Sequence, residues 1–269
     1  MTASWPIRLR ADRLAVEVHA DRRQLGLQAA RNAGQTLRQI IEGQGYARVI
    51  FACAPSQDEF LAALVEPAVA GSIAWERVTA FHLDDYVGLA ATHPRSFRAY
   101  LQERLLSRVG IGKFYPIAAE RADLSEVCAD YTARLQEAPI DLICLGIGEN
   151  GHLAFNDPPV ADFNDPVLIK RVELDDVCRR QQVNDGCFPS FDKVPRCALS
   201  LTLPVFRAAR HLSVQVPGPR KAAAVKATLQ GPVSTACPAS LLRQHAAATL
   251  YLDRDSAAEV AGVGKSSGA

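Results

Sequence analysis

Apolar and polar positions along this chain fall into two alternating periods. Over residues 20–44, Leu25, Leu27, Ala30, Leu37, Ile40 and Ile41 form a broken stripe at helical spacing, closed by Gly43 and Gly45; this predicts an amphipathic helix. Residues 48–54 (ArgValIlePheAlaCysAla) are apolar almost without a break, the pattern of a strand buried on both faces. A second helix is predicted near 56–70, with Ser56 and Glu59 spaced as a capping box and Asp58 suited to the positive helix end. The next strand, 77–83, is closed by Asp84 and Asp85, and helices are predicted over 95–108 and 122–137. Residues 140–148 read as a third buried strand that passes into a glycine-rich turn. Residues 158–200 show no clear period and read as a long functional excursion, a lid or set of loops. Strands at 211–216 and 248–253 flank a helix that starts near Pro219, and residues 262–269 have the composition of a disordered tail.

Strand and helix in alternation predict an α/β fold, a Rossmann-like three-layer α/β/α arrangement around a mainly parallel sheet. No internal repeat or composition break divides residues 1–261, which read as a single domain. Ligands of such sheets bind beyond the carboxyl ends of the strands. The loops after 48–54, 77–83, 140–148 and 211–216 are therefore expected to face one crevice.

Composition narrows the function classes. Thirty Lys and Arg against 29 Asp and Glu leave a net charge of +1, which offers no field for nucleic acid or an acidic membrane. The seven cysteines are an odd number, contain no Cys-x-x-Cys pair and lack zinc spacing, so neither a structural metal nor a disulfide framework is expected. The first 22 residues contain no continuous apolar segment of the signal-peptide kind, and no stretch is long enough to span a bilayer. The expectation is a reduced, soluble, cytoplasmic protein.

Three of the four strand ends carry reactive groups. Strand 77–83 delivers Asp84 and Asp85; strand 140–148 delivers Glu149, Asn150, His152, Asn156 and Asp157; strand 211–216 delivers Arg220 and Lys221 at a helix start. Each has a plainer reading. An Asp pair after a strand is commonly a turn or cap, a lone Gly-x-Gly-x-x-Gly marks many tight turns, and His152 alone could be structural. Lys221 opposes the helix dipole where it stands, which suits an anion nearby. Carboxylates, an imidazole and a cation on one crevice suit proton transfer on an anionic substrate.

Three segments give these residues a family likeness. PheHisLeuAspAspTyrValGlyLeu (81–89) with HisProArgSerPhe (93–97), then LeuGlyIleGlyGluAsnGlyHisLeuAlaPheAsnAspPro (145–158), then 217–225 with 231–245 resemble the glucosamine-6-phosphate deaminase/isomerase family. The likeness covers most of the chain. It implies an aldose–ketose isomerisation coupled to loss of ammonia from an amino-sugar 6-phosphate. In that reaction Asp84 would shuttle a proton between C2 and C1 through an enediol-type intermediate. His152 would assist opening of the sugar ring, with Asp157 orienting it, and Lys221 would pair with the phosphate. No metal or organic cofactor is implied, the implied partner is a small amino-sugar phosphate, and the implied assembly is a homo-oligomer.

The sequence departs from the family pattern in places. Asn150 stands where many members have Asp, Asp157 stands at a Glu position, and no arginine matches the family's in register, Arg179 and Arg180 being the nearest. The family's Thr-Gly-Gly-Thr-Pro phosphate loop is here Cys53-Ala54-Pro55-Ser56-Gln57. With its glycines gone and one amide lost to proline, that loop leaves Ala54, Ser56, Gln57 and Arg179 as the candidate anion contacts beside Lys221. A lactonase, a non-deaminating sugar-phosphate isomerase and a non-catalytic sugar-phosphate sensor remain the alternatives on the same scaffold.

Overall fold

The computed structural model describes residues 5–261; the predicted disordered tail, 262–269, lies outside them. The chain opens with a hairpin, β1 (Ile7–Ala11) and β2 (Leu14–His19), and then α1 (Arg22–Gln44). The Asp21 carboxylate caps α1 by accepting from the Gln24 amide at 2.8 Å, and Gly45, at φ +86°, ends it by donating to Ile41 O. β3 (Ala47–Phe51) follows, then α2 (Asp58–Leu64) and α3 (Pro67–Ala70), β4 (Val78–His82) and β5 (Asp84–Tyr86). Next come α4 (Phe97–Leu101), β6 (Lys113–Phe114), α5 (Leu124–Gln136) and β7 (Leu142–Leu145). The last third adds β8 (Ile169–Glu173), α6 (Asp176–Asn184), β9 (Cys197–Leu201), α7 (Leu203–Ala208), β10 (His211–Val216), α8 (Ala222–Gln230) and β11 (Ala248–Asp253).

Eight strands form one sheet in the order β1-β2-β11-β10-β7-β3-β4-β6. Its pairs are parallel except for the β1–β2 hairpin at one edge. From β3 the chain moves outward to β4 in one direction, and from β7 it moves to β10 and β11 in the other. The β3–β7 boundary is thus a switch point, where loops from neighbouring strands leave in opposite directions and a crevice opens. Two buried apolar clusters fill the space between the sheet and its helices. Among the described residues no helix is long and apolar enough to cross a membrane.

The expected α/β/α architecture is present, with local differences. The helix expected at 56–70 is broken: residues 55–57 form a 3₁₀ turn and Pro67 starts a separate short helix. The expected capping box is not made. Ser56 sits inside the turn, and Glu59 pairs with Arg22 instead. The helix expected at 95–108 is α-helical only to Leu101 and widens into a π turn over Gln102–Leu106. The stretch 158–200, read as irregular, contains β8, α6 and β9.

Asp84 and Asp85, expected to close a strand, begin a new one. β5 pairs with β9 and β9 with β8, giving a small antiparallel sheet beside the large one. The Asp85 carboxylate accepts from the Tyr86 amide at 2.9 Å, the Phe97 amide at 3.1 Å and Arg98 Nε at 2.8 Å. Arg98 also donates to Leu89 O and pairs with Glu120. Removing one partner of a buried ion pair strands the other charge. Asp85→Ala is expected to lower unfolding stability by about 3 kcal/mol, measured by urea denaturation; a change below about 0.5 kcal/mol would show that β5 is held by other means.

Candidate active site

The loops at the carboxyl ends of the parallel strands enclose a hollow of about 580 Å³, open to solvent at its mouth. Ala54 and Ser56 line it from the loop after β3, Asp84 from β5, Gly146 to Gly148 and His152 from the loop after β7, and Lys221 from the turn after β10. Helix α6 closes one side with Gln181 and Gln182, and Asp185 just past its end adds to them.

The loop after β7 holds itself in shape. The Gly151 amide donates to Gly148 O, and the Gly148 amide donates to His152 O at 3.0 Å. Gly151 adopts φ +86°, and a Cβ there would lie 2.7 Å from Cys237 Sγ, so glycine is needed for both conformation and space. The Gly151 carbonyl in turn accepts from the Ala239 amide, which ties the 231–245 segment under the loop. Gly148 matters differently: a Cβ there would fall 2.2–2.4 Å from atoms of the His152 ring. The imidazole occupies the space left by the missing side chain.

His152 Nδ1 lies 2.8 Å from Asp157 Oδ1, which fixes the tautomer with Nδ1–H donating and leaves Nε2 as the free nitrogen. Asn150 Nδ2 donates to the same oxygen at 2.7 Å, and Asn150 Oδ1 accepts from the His152 amide. Asn150, a candidate for the chemistry itself, is thus a brace between imidazole and carboxylate. Burial opposes the charge on Asp157, but His152, Asn150 and the nearby Cys178 together hold its carboxyl below the usual range. The donor atoms of His152, Asp157 and Cys178 lie within 4.8 Å of one another. Among the described residues this is the cluster with the chemistry for a soft divalent ion, although two of the three are already committed to each other by a hydrogen bond.

Asp84 stands in contrast to its neighbour Asp85. Successive strand residues face opposite ways, so Asp85 points into its cage of donors and Asp84 into the hollow. Among the described residues nothing donates to the Asp84 carboxylate. Burial, with a smaller contribution from the charge of Asp85, pushes its pKa well above the ordinary carboxylate range. Lys221 is 7% exposed and has no ion pair among the described residues. Burial pulls its pKa down, while Asp185 and Glu149 act in the other direction.

Two candidate anion contacts lie elsewhere. Gln57 is buried behind the loop, its Nε2 3.2 Å from Ser56 Oγ and 3.4 Å from Gln215 O, so it braces Ser56 rather than facing the hollow. Arg179 points away: its guanidinium donates to Phe191 O and Val194 O and covers the Phe191 ring. The α6 residues that do face the hollow, Gln181 and Gln182, are hydrogen-bonded to the Glu149 amide and the Tyr86 hydroxyl. The family pattern points to an arginine here, so two glutamines carry no signal in the sequence. Past Ser56, Asp185 and Lys221 the hollow continues into a second of about 730 Å³, which Arg22 and Arg220 help to line. Arg220 is tied to Asp185 at 2.6 Å and Glu149 at 3.2 Å.

Similarity to known proteins agrees with this geometry. Residues 20–169 match the family described as glucosamine-6-phosphate isomerases/6-phosphogluconolactonase. A glucosamine-6-phosphate deaminase of Listeria monocytogenes is 37% identical over 182 residues, 68% of this chain and 76% of the relative. One from Lactobacillus delbrueckii subsp. bulgaricus is 31% identical over 196 residues, 72% and 81% of the two chains. Among solved structures, a monomeric glucosamine-6-phosphate deaminase of the NagB superfamily superposes with a TM-score of 0.83 at 26% identity, covering 91% of this chain and 99% of that one. A 6-phosphogluconolactonase from Trypanosoma brucei shares the fold, with a TM-score of 0.75 at 16% identity over 95% and 100% of the two chains. A matched span of more than half the chain, and identities above 30% over two thirds of it, place this protein in the glucosamine-6-phosphate isomerase/6-phosphogluconolactonase family.

Proposed function

We propose that this protein is an amino-sugar-phosphate deaminase that converts an aldose amine 6-phosphate to a ketose phosphate and ammonia. The observation that supports it most directly is the contrast at β5: Asp84 is buried in the hollow with no donor among the described residues, while Asp85 is fully bonded. A carboxylate held in that state is a strong base for a carbon-bound proton, because no hydrogen bond stabilises its charged form.

The chemistry follows from the groups present. His152, with Nδ1 committed to Asp157, has Nε2 free to move a proton at the ring oxygen and the anomeric hydroxyl, which opens the sugar. Asp84 then removes the proton from C2 and returns it to C1. With nitrogen on C2, that transfer, together with passage of one proton from the amine nitrogen to O1, leaves an imine, and water hydrolyses it to the ketone with loss of ammonia. Lys221 and the Ser56 hydroxyl hold the anionic end. The homo-oligomer implied by the family likeness is not needed by this chemistry, and the solved deaminase relative is described as a monomer.

Ammonia release from a panel of hexosamine 6-phosphates and their unphosphorylated parents tests the reading. Release from a phosphorylated amino sugar is expected; acid release from a sugar lactone without ammonia would select a lactonase instead. Asp84→Asn is expected to reduce turnover roughly 10³-fold. The same substitution should not reduce heat stability at pH 7. A carboxyl whose pKa is raised on folding contributes most below its unfolded pKa, and loses that contribution as pH rises through the folded one. At neutral pH a charged Asp84 therefore opposes folding, and a melting temperature for Asp84→Asn below that of the parent would contradict the assignment.

The pH profile gives a further test. Asp84 must be ionised to act as base, so kcat/KM is expected to fall with decreasing pH along a limb set above the ordinary carboxylate range. An acid limb near pH 4, that of an ordinary carboxyl, would argue against Asp84 as the base.

A further inference from the structure

We infer that Asp253, at the carboxyl end of β11, is a positioning residue for Lys221 and sets the affinity of the hollow for the anionic end of its ligand. The inference rests on the reading of Lys221 given above. β10 and β11 are parallel neighbours whose register runs to Val216 opposite Leu252. The next residue on the β10 side is Pro217, which has no amide to extend the ladder. Gly218 follows with φ +93° and ψ 154°, a conformation open to glycine. Its amide points at the Asp253 carboxylate, 3.1 Å from one oxygen and 3.0 Å from the other. The side chain of Asp253 thus supplies the acceptor where the backbone ladder ends.

Asp253 is itself fixed. The Ser256 amide donates to its Oδ1 at 2.7 Å, the Ser256 hydroxyl accepts from its amide at 3.1 Å, and the Ala257 amide donates to its carbonyl at 3.0 Å. Asp253 and Ser256 are buried. On the other side, Gly218 O accepts from the Lys221 amide at 3.2 Å and closes the turn. One chain of contacts therefore runs from the end of β11 through the Gly218 peptide to Lys221. Since the Lys221 ammonium has no side-chain partner among the described residues, its position depends on this backbone. An Asn at 253 with its oxygen in the Oδ1 place could still accept from both amides, but its NH₂ would then stand where Oδ2 now accepts from the Gly218 amide, donor facing donor.

Titration with inorganic phosphate, together with steady-state kinetics on the amino-sugar phosphate, tests the assignment. Lys221→Ala is expected to abolish or strongly weaken phosphate binding. Asp253→Asn should weaken it about tenfold, the loss typical of a charge-assisted hydrogen bond. KM should rise in parallel while kcat stays within about twofold, the pattern of lost binding that is shared by ground and transition states. Ser256→Ala, which keeps the carboxylate and removes one of its supports, should give a smaller shift in the same direction and serves if Asp253→Asn does not fold. A residue that only stabilised the fold would lower the melting temperature or kcat and leave the phosphate constant unchanged; that result overturns the inference while the reading of Lys221 stands. Phosphate binding that is absent from the parent, or indifferent to Lys221→Ala, would overturn both.

Discussion

The direction in which Asp84 faces depends on how the buried Asp85 carboxylate beside it is bound. Two backbone amides and the Arg98 guanidinium saturate it, and Arg98 is tied in turn to Leu89 and Glu120. Because neighbours in a strand project to opposite sides, holding Asp85 aims Asp84. The same interaction anchors β5, and with it the small antiparallel sheet, to the start of α4. One strand thus turns a sequence pair of identical residues into two buried carboxylates with different surroundings, one bound by three donors and the other, among the described residues, by none.

That division recurs across the molecule. At the amino-terminal ends of the strands, Asp141 accepts from the Arg48 amide, Gln44 and Arg210, and the Arg48 guanidinium is taken up by carbonyls at the end of α5. Charges there are matched and serve the fold. At the carboxyl ends, Asp84 and Lys221 have no partners among the described residues, while the groups behind them, Asn150, Asp157 and Asp253, hold others in place. Free groups facing the hollow and bound groups behind it are the arrangement that acid–base chemistry requires.

Much of this was legible in the sequence where one physical signal dominated. β10 and β11 were predicted to the residue, because apolar residues recur at every second position of each, Leu212, Val214 and Val216 in one and Ala248, Leu250 and Leu252 in the other. The convergence of Asp84, His152 and Lys221 followed from the rule that parallel strands point their carboxyl ends one way. Helix α6 was illegible for an equally physical reason. Its buried positions, Cys178, Gln181 and Gln182, have helical spacing, but two of the three are polar, so no apolar stripe announces them. The β1–β2 hairpin was missed because β1 is an edge strand that buries none of its residues fully. Gln57 and Arg179 show the limit of reasoning by proximity in sequence: one residue along a 3₁₀ turn, or two along an α-helix, is enough to change the side that a side chain faces.

The contact between Gly148 and His152 carries a consequence for how this protein can vary. The imidazole ring fills the place where any side chain at 148 would begin, so the two positions share one volume. Replacing Gly148 would evict the ring, whatever the chemistry of the new side chain. A survey of tolerated substitutions would then record position 148 as being as restricted as position 152, although only one of the two has any reactive chemistry. Restriction at 148 is inherited from its neighbour, a case in which a residue's importance lies in the atom it does not have.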